Sequence, residues 1–484
     1  MGALLAGDRR LLGALALFVL LLPVYAWSVG LRATRGASIT ADEPFYLLTT
    51  QSLIQDGNLD LTGQYAHESW RSFFDHPDGL WKQSVPLEDG RLLSPHEPGL
   101  SVFLVPGFAL GGLTGAQLQM LLLTAATFAI AFVLVAAETR ALLVSWLATA
   151  AVALTATAFV YSTEIYPEVP AAMLLLLSLL LVRRARLGLA HGLLLAALLS
   201  TLAWFGMKYV PLGGLVGFYF LWRADRRGRA VFLAASTVSA IAYVWLHLAL
   251  YGALTAYNAN TVFEGAPTTE VLQAHLGFGA RLYRLWGLFI DERFGVGRWA
   301  PVLLPVLPAV PLLLRRSTTA ALVGALMLTQ LAIATFVAIT MMGWWFPGRT
   351  LVTVLPLFAL VLAELTLRLP QAGRAVLGLL GLASIVFVTG LVQAARGGEV
   401  TLAVDPFAMH LGPFQASAWL FPDYRAWTGG VVLRTVVWLI AAGVFGGWLQ
   451  RDRLGDAVQW LQGRTAGISR SGARPGRGRT EAVR

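Results

Sequence analysis

Apolar runs of about twenty residues, nearly free of charge, recur along this 484-residue chain, and each is long enough as an α-helix to cross the roughly 30 Å hydrocarbon core of a bilayer. The first covers residues 11–30 and follows Arg9 and Arg10. Others lie near 116–137, 141–160, 169–182, 187–207, 209–222, 230–250, 299–314, 317–341, 350–367, 375–395 and 431–449. Hydrophobic residues make up 57% of the chain and charged residues 13%, too few polar groups to cover a soluble protein of this size. The expected fold is an all-α polytopic membrane protein of about 12 transmembrane helices, two or three of them short. Its first extracytoplasmic loop, 31–115, is large and is expected to contain membrane-lying helices.

A further apolar segment, 99–113, is only about fifteen residues long, follows Pro98 and contains Pro106. It reads as interfacial or re-entrant, and the charges support that. If it crossed, Arg183, Arg184, Arg186, Arg223, Arg226, Arg227, Arg229, Arg315 and Arg316 would face outward, against the preference of Lys and Arg for cytoplasmic loops. Left uncrossed, the chain puts 22 Lys/Arg and 6 Asp/Glu inside against 13 and 19 outside, with Arg434 and Glu364 within spans. Both termini are then cytoplasmic, the membrane is the plasma (inner) membrane, and the long loops are extracytoplasmic. The net charge of +10 needs no nucleic acid. It follows from orientation and from a basic tail, 451–484, expected to be partly disordered and to touch anionic lipid.

There is no cysteine, which excludes disulfides, thiol nucleophiles and thiolate metal sites, and the seven His residues do not fall at metal-ligand spacing. Candidate chemistry therefore rests on the outer loops. Asp42 and Glu43 open the first, before a helix-compatible stretch that stops at Asp56-Gly57-Asn58. Thr40 with Glu43 fits a capping box, so the pair suits either the positive end of a short helix or an acid–base site at an apolar boundary. His96 and Glu97 lead into the re-entrant segment, where a His is either a hydrogen-bonded structural group or part of a site. Glu164 and Glu168, beside Tyr161 and Tyr166, lie in a tight loop between two spans, fitting an N-terminal cap or a binding site. Lys208, alone between two short spans, sits where a snorkelling lysine or a partner for a lipid phosphate would sit. Arg293 and Arg349 enter the membrane boundary from outside, against the topogenic preference, and point to an anionic partner.

Taken in order, these stretches resemble the C-class membrane glycosyltransferases, the superfamily that includes protein O-mannosyltransferases and the aminoarabinose transferase of lipid A. The matching pattern is Asp42-Glu43 in the first outer loop, Pro95 to Gly99 at the entrance to a membrane-lying helix, Glu164 in the second, and Lys208 between short spans. The resemblance covers the first 230 residues well and later agrees loosely, at Asp291 to Gly295 and Gly348-Arg349. It implies a sugar donor carried on a polyprenyl phosphate, used on the extracytoplasmic face, with Asp42 as the catalytic carboxylate of the first loop and Glu43 beside it. It also implies a catalytic membrane module over 1–230, a variable transmembrane module over 231–450 and the tail. The sequence departs from those relatives in lacking a sizeable soluble C-terminal domain, and in having His96 where a Lys would pair more naturally with a phosphate.

A carboxylate that takes the proton of an attacking acceptor hydroxyl, with cations on the departing phosphate, accounts for such a transfer by single displacement with inversion. No nucleotide cofactor is expected. Glu164 or Glu168 is also compatible with a divalent metal. A polytopic transporter or lipid flippase is the alternative, since about twelve spans with both ends inside also suit secondary transporters. Against it, no repeat relates the halves, and the acids gather in outer loops rather than at mid-membrane. A polymerase or ligase of lipid-linked polysaccharide would share the lipid phosphate and differ in the acceptor.

Overall fold

The structure, a computed structural model, describes residues 2–263 and 267–451. Of the basic tail at 451–484, all but Arg451 lies outside the described residues. Among the described residues there is no strand, and extended pairing is limited to the isolated bridges Asp60↔Leu93 and Ser84↔Asn260. In lipid a helix satisfies its own backbone donors and acceptors, so an apolar sequence of this kind has little other choice.

Seven helices are long and apolar enough to cross a membrane, and four more apolar helices are shorter than 18 residues. The expected count of twelve therefore does not follow from helix length. Two of the twelve apolar runs are broken, each for a local reason. The run 141–160 divides into α5 (Leu142–Ala153) and α6 (Ala156–Val160), with the Thr155 hydroxyl capping the second by accepting from Ala158 N–H. The run 299–314 becomes a series of short turns, because Pro301, Pro305, Pro308 and Pro311 each remove a backbone donor. Several long helices turn Leu11, Val238, Leu379 and Leu433 outward, which only a lipid surround tolerates on this scale.

Segment 99–113 is not a full-length helix of its own. α4 (Gly99–Thr139) is interrupted by non-helical backbone at Gly111 and Gly112, and its first arm, about twelve residues, spans only ~18 Å. The arms fold against each other: Gln119 accepts from Gly107 N–H at 2.8 Å and donates to Phe103 O at 2.6 Å. Across the first arm lies α2 (Glu43–Gln55), tied by Thr50 to Ser101 O and by Ser101 to Tyr46 O. α2 ends at Gln55 with Gly57 at φ +67°, the left-handed stop its sequence announces.

Two elements set the distance between polar clusters at opposite ends of the bundle. α7 (Glu168–Val182) begins with Glu168 and is followed by Arg183; the segment Arg349–Arg368 begins with Arg349 and ends near Glu364 and Arg368. At the far ends, buried Glu138 pairs with Arg183 at 2.6 Å and accepts from the Ser317 hydroxyl, while Arg316 bonds Glu138 O and pairs with Glu364. At the near ends Glu168 and Arg349 meet. The fifteen residues of α7 hold the two clusters ~22 Å apart.

Glycine is required at two points beside the near cluster. Gly99 lies directly against the backbone carbonyl of Trp204, at the end of α8 (Leu189–Phe205). Gly348 has φ +91°, and a Cβ there would strike Val296 and Thr157. Gly348→Ala is thus expected to lower stability by about 1–3 kcal/mol and to displace Arg349, its neighbour; an unchanged melting temperature in detergent would show the contact is slack.

Candidate active site

The near cluster is built around Arg349, whose side chain is only 10% exposed. Its Nη2 donates to Asp42 Oδ2 at 2.6 Å and its Nε lies 3.4 Å from Glu168 Oε1. The guanidinium is stacked 3.9 Å from the Tyr166 ring centroid and 5.1 Å from that of Trp345. Lys208, in the single turn Met207–Tyr209, reaches the same Glu168 oxygen at 2.7 Å and keeps 39% of its side chain exposed. Two carboxylates and two cations so alternate in one chain, Asp42–Arg349–Glu168–Lys208, drawn from four separate segments.

Asp42 sits just before α2, directly after Ala41 at φ +52°, a left-handed conformation that costs a non-glycine residue about 1 kcal/mol or more. Burial would raise the Asp42 carboxyl, but Arg349, with Lys208 behind it, holds it well below the usual carboxylate range. Its second oxygen is 3.4 Å from Gln83 Nε2 and 3.7 Å from His96 Nε2. Gln83 Oε1 in turn lies 2.8 Å from His96 Nε2. A carboxylate only accepts, so Gln83 presents its amide nitrogen to Asp42 and its oxygen to His96, which places the His96 proton on Nε2. Burial first, then Arg349 and Lys208, lower the His96 pKa. At neutral pH the ring is uncharged, with Nδ1 free of its proton.

Glu43 behaves differently. Its carboxylate accepts from Thr40 N–H and from Ile165 N–H, both at 2.9 Å, so it pins the start of α2 to the loop that precedes α7. Of the expected capping box only the Glu43 half forms: helix α2 starts at Glu43, making Asp42 rather than Thr40 the N-cap, and no side chain caps it. Burial pushes Glu43 up to about 7 in spite of the two amides. Glu164 is raised as well, by burial and then by the charge of Glu43. Glu164 Oε2, Glu168 Oε2 and the Tyr166 hydroxyl are buried without a hydrogen-bond partner among the described residues.

Asp42, Glu43, His96, Glu164, Glu168, Lys208 and Arg349 are therefore brought together, as their sequence pattern anticipates. Residues 1–230 supply all of them except Arg349. Glu97 and Arg293 are not part of the cluster. Glu97 turns away from its neighbour His96 and bonds His247 at 2.7 Å and Tyr243 at 2.8 Å, both on α10 (Arg226–Tyr251), so it anchors the His96 turn. Arg293 lies over the Phe407 ring, 5.1 Å away, beside the Asp291 turn. Gln83 and the stacking role of Tyr166 escaped the sequence reading. Gln83 lies in an irregular stretch with no motif, and only the pairing of its backbone with Thr261 in the second long loop gives it a fixed place. Among the described residues no group of three or more His, Asp or Glu is placed to hold a metal ion.

Fold and site together define an all-helical polytopic membrane architecture. The chain matches the crystal structure of ArnT from Cupriavidus metallidurans bound to undecaprenyl phosphate with a TM-score of 0.52 at 16% identity, over 91% of this chain and 73% of that one. It matches the apo state of the same enzyme with a TM-score of 0.50, also at 16% identity, over 91% and 72%. At that identity the likeness is one of fold. No protein-family model and no curated protein matches the chain.

The Glu43 geometry yields a test. Glutamine can accept only one of the two amides and sets an NH2 against the other, so Glu43→Gln should cost about 1–3 kcal/mol of stability. The shift carries a pH signature. With a folded value of about 7 against 4.5 unfolded, the stability Glu43 contributes is fully present below about 4.5 and is lost as pH rises through 7. The variant should flatten the melting temperature across that window, and a parallel pH profile would place the titration elsewhere.

Proposed function

We propose that the chain is an integral membrane glycosyltransferase that moves a sugar from a polyprenyl-phosphate carrier to an acceptor hydroxyl on the extracytoplasmic face. The observation that carries this reading is the pairing of Arg349 and Lys208 with Asp42 and Glu168 at the loop end of the bundle. Cations that already meet carboxylates at charge-assisted distance are positioned to exchange one for a phosphate. The fold shared with ArnT, which was crystallised with undecaprenyl phosphate, supports a lipid-phosphate partner.

In the reaction so envisaged, the donor phosphate takes Arg349 and Lys208 as partners. Asp42 loses part of its ion pair and gains proton affinity. The acceptor oxygen bonds to the anomeric carbon, the bond from that carbon to the phosphate oxygen breaks, and the acceptor proton passes to Asp42. Polyprenyl phosphate leaves with its charge held by the two cations. One displacement inverts the anomeric centre. Orientation rests on the charge asymmetry: Arg183, Arg223 and Arg316 lie at the far end of the bundle, which the positive-inside rule makes cytoplasmic.

Two measurements test the reading. Asp42→Asn should lower sugar transfer by roughly two to four orders of magnitude while undecaprenyl phosphate still binds; near-parental transfer by a folded variant would remove Asp42 as the base. Because the chain has no cysteine, a cysteine introduced at Asp89 should react with an impermeant thiol reagent from outside the cell and one at Gly188 should not. The reverse pattern would invert the topology and with it the side of the reaction.

A further inference from the structure

We infer that a cavity of about 530 Å³ in the first outer loop, lined by Tyr65, Glu68, Trp70, Arg71, Asp78 and Lys82, is an acceptor subsite that takes a hydroxyl-rich glycan. This rests on the transferase reading above and adds the chemical class of its second substrate.

The cavity is a constructed surface. Its size falls within the roughly 300–1,000 Å³ of small-ligand sites. Trp70, 4% exposed, forms its base, and the turn at Gly79, φ +79°, lies so close that a Cβ there would sit 3.2 Å from the indole. Arg71 stacks 4.5 Å over Trp70 and pairs with Glu68 at 2.5 Å. Glu68 holds that position in left-handed backbone, φ +50°. Only three described non-glycine residues have positive φ. Arg140 and Glu68 both flank helices, Glu68 as the cap of the short turn Ser69–Ser72 in this cavity, and Ala41 lies next to Asp42. Strain of this kind persists where surrounding structure enforces it, and it concentrates at binding sites.

The exposed chemistry selects the ligand. Lys82 lies 5.8 Å over the Tyr65 ring and has no carboxylate partner among the described residues, and the Asp78 side chain is 91% exposed. Leu80 and Leu92, the lining leucines, are 8% and 3% exposed and offer little aliphatic wall. An acyl chain would strand two acids and two cations against hydrocarbon. An anionic ligand would meet as many carboxylates as cations. A neutral polyol satisfies donors and acceptors of both signs and can lay a ring face on the half-buried Tyr65.

Position links the cavity to the reaction. Residues 83–85 are extended, paired with the second long loop through Val85 N–H to Ala259 O and Thr261 N–H to Gln83 O, both at 2.9 Å. Neighbouring side chains on an extended segment point to opposite faces: Lys82 lines the cavity and Gln83 contacts Asp42 and His96. Trp81, 59% exposed, packs edge-on against Phe45 of α2 at 5.3 Å. A glycan seated in the cavity and passing over this single segment brings its terminal hydroxyl to Asp42.

The test uses the full-length chain in lipid nanodiscs, an array of bacterial envelope oligosaccharides, and saturation-transfer NMR on the oligosaccharides it captures. The expected result is binding that Tyr65→Ala with Lys82→Ala weakens at least tenfold, with undecaprenyl phosphate binding unchanged. In transfer assays the same variant should raise the acceptor KM by a similar factor and leave kcat at saturating acceptor near the parent value. Absence of oligosaccharide binding, binding that the double variant leaves intact, or transfer confined to lipid or protein hydroxyls would overturn the subsite. The transferase reading fails separately, through loss of undecaprenyl phosphate binding by the parent chain.

Discussion

Arg349 makes the interaction on which the loop end of this molecule depends. One buried guanidinium joins the first loop through Asp42, the base of α7 through Glu168 and the second loop through Tyr166. It does so from the start of a segment that is itself largely buried. Removing one partner from a buried pair leaves an uncompensated charge, a cost of about 3–5 kcal/mol. Asp42 and Glu168 are therefore held as firmly as the helices behind them. The planar fork of arginine matters, because a lysine ammonium does not bond two carboxylates while stacking on an aromatic ring.

The same network explains why neighbouring carboxylates differ. Asp42 has Arg349, so it stays ionised and basic only weakly until that cation is drawn away. Glu43 has two backbone amides and no cation in contact, and burial leaves it near 7. The first arrangement suits a base exposed when a competing anion binds; the second suits a structural clasp between loops. Sequence places the two residues side by side, but the side chain of one meets the C-terminal half of the chain and that of the other meets the 162–167 loop.

The membrane architecture was legible in the apolar runs because hydrocarbon leaves the backbone few options, and the separate short arm within 99–113 was legible in its length and in Pro98 and Pro106, although the break itself falls at Gly111 and Gly112. Prolines in the 299–314 run carry their own warning of broken helix, which a count of apolar residues overrides. At the site, seven of the nine anticipated residues converge. Each is charged or ionisable and lies in a loop or at a helix end of an otherwise apolar chain, where such groups are expensive unless paired. Glu97 was misplaced because adjacent residues in a turn face opposite ways: His96 faces Asp42 and Glu97 faces His247. Arg293 shares the boundary position of Arg349 without its contacts. Gln83 was invisible because a neutral amide in an irregular segment has no pattern. Its role exists only once two distant loops pair.

That amide also resolves the feature that set this sequence apart from its expected relatives, a histidine where a lysine would suit a phosphate. With Gln83 oriented by Asp42, His96 is fixed with its proton on Nε2, and burial beside Arg349 and Lys208 keeps the ring neutral. A third permanent cation here would compete for Asp42 and Glu168 and hold both carboxylates more tightly in the resting site. A neutral imidazole instead leaves the charges of the ion-pair chain balanced, two against two. In the proposed reaction an incoming phosphate would displace a carboxylate from a cation, and the more exposed member of the chain is Asp42, whose side chain is 21% exposed against 2% for Glu168. In the transfer proposed above, donor binding and activation of the base would be one event, because a single arginine meets both Asp42 and Glu168.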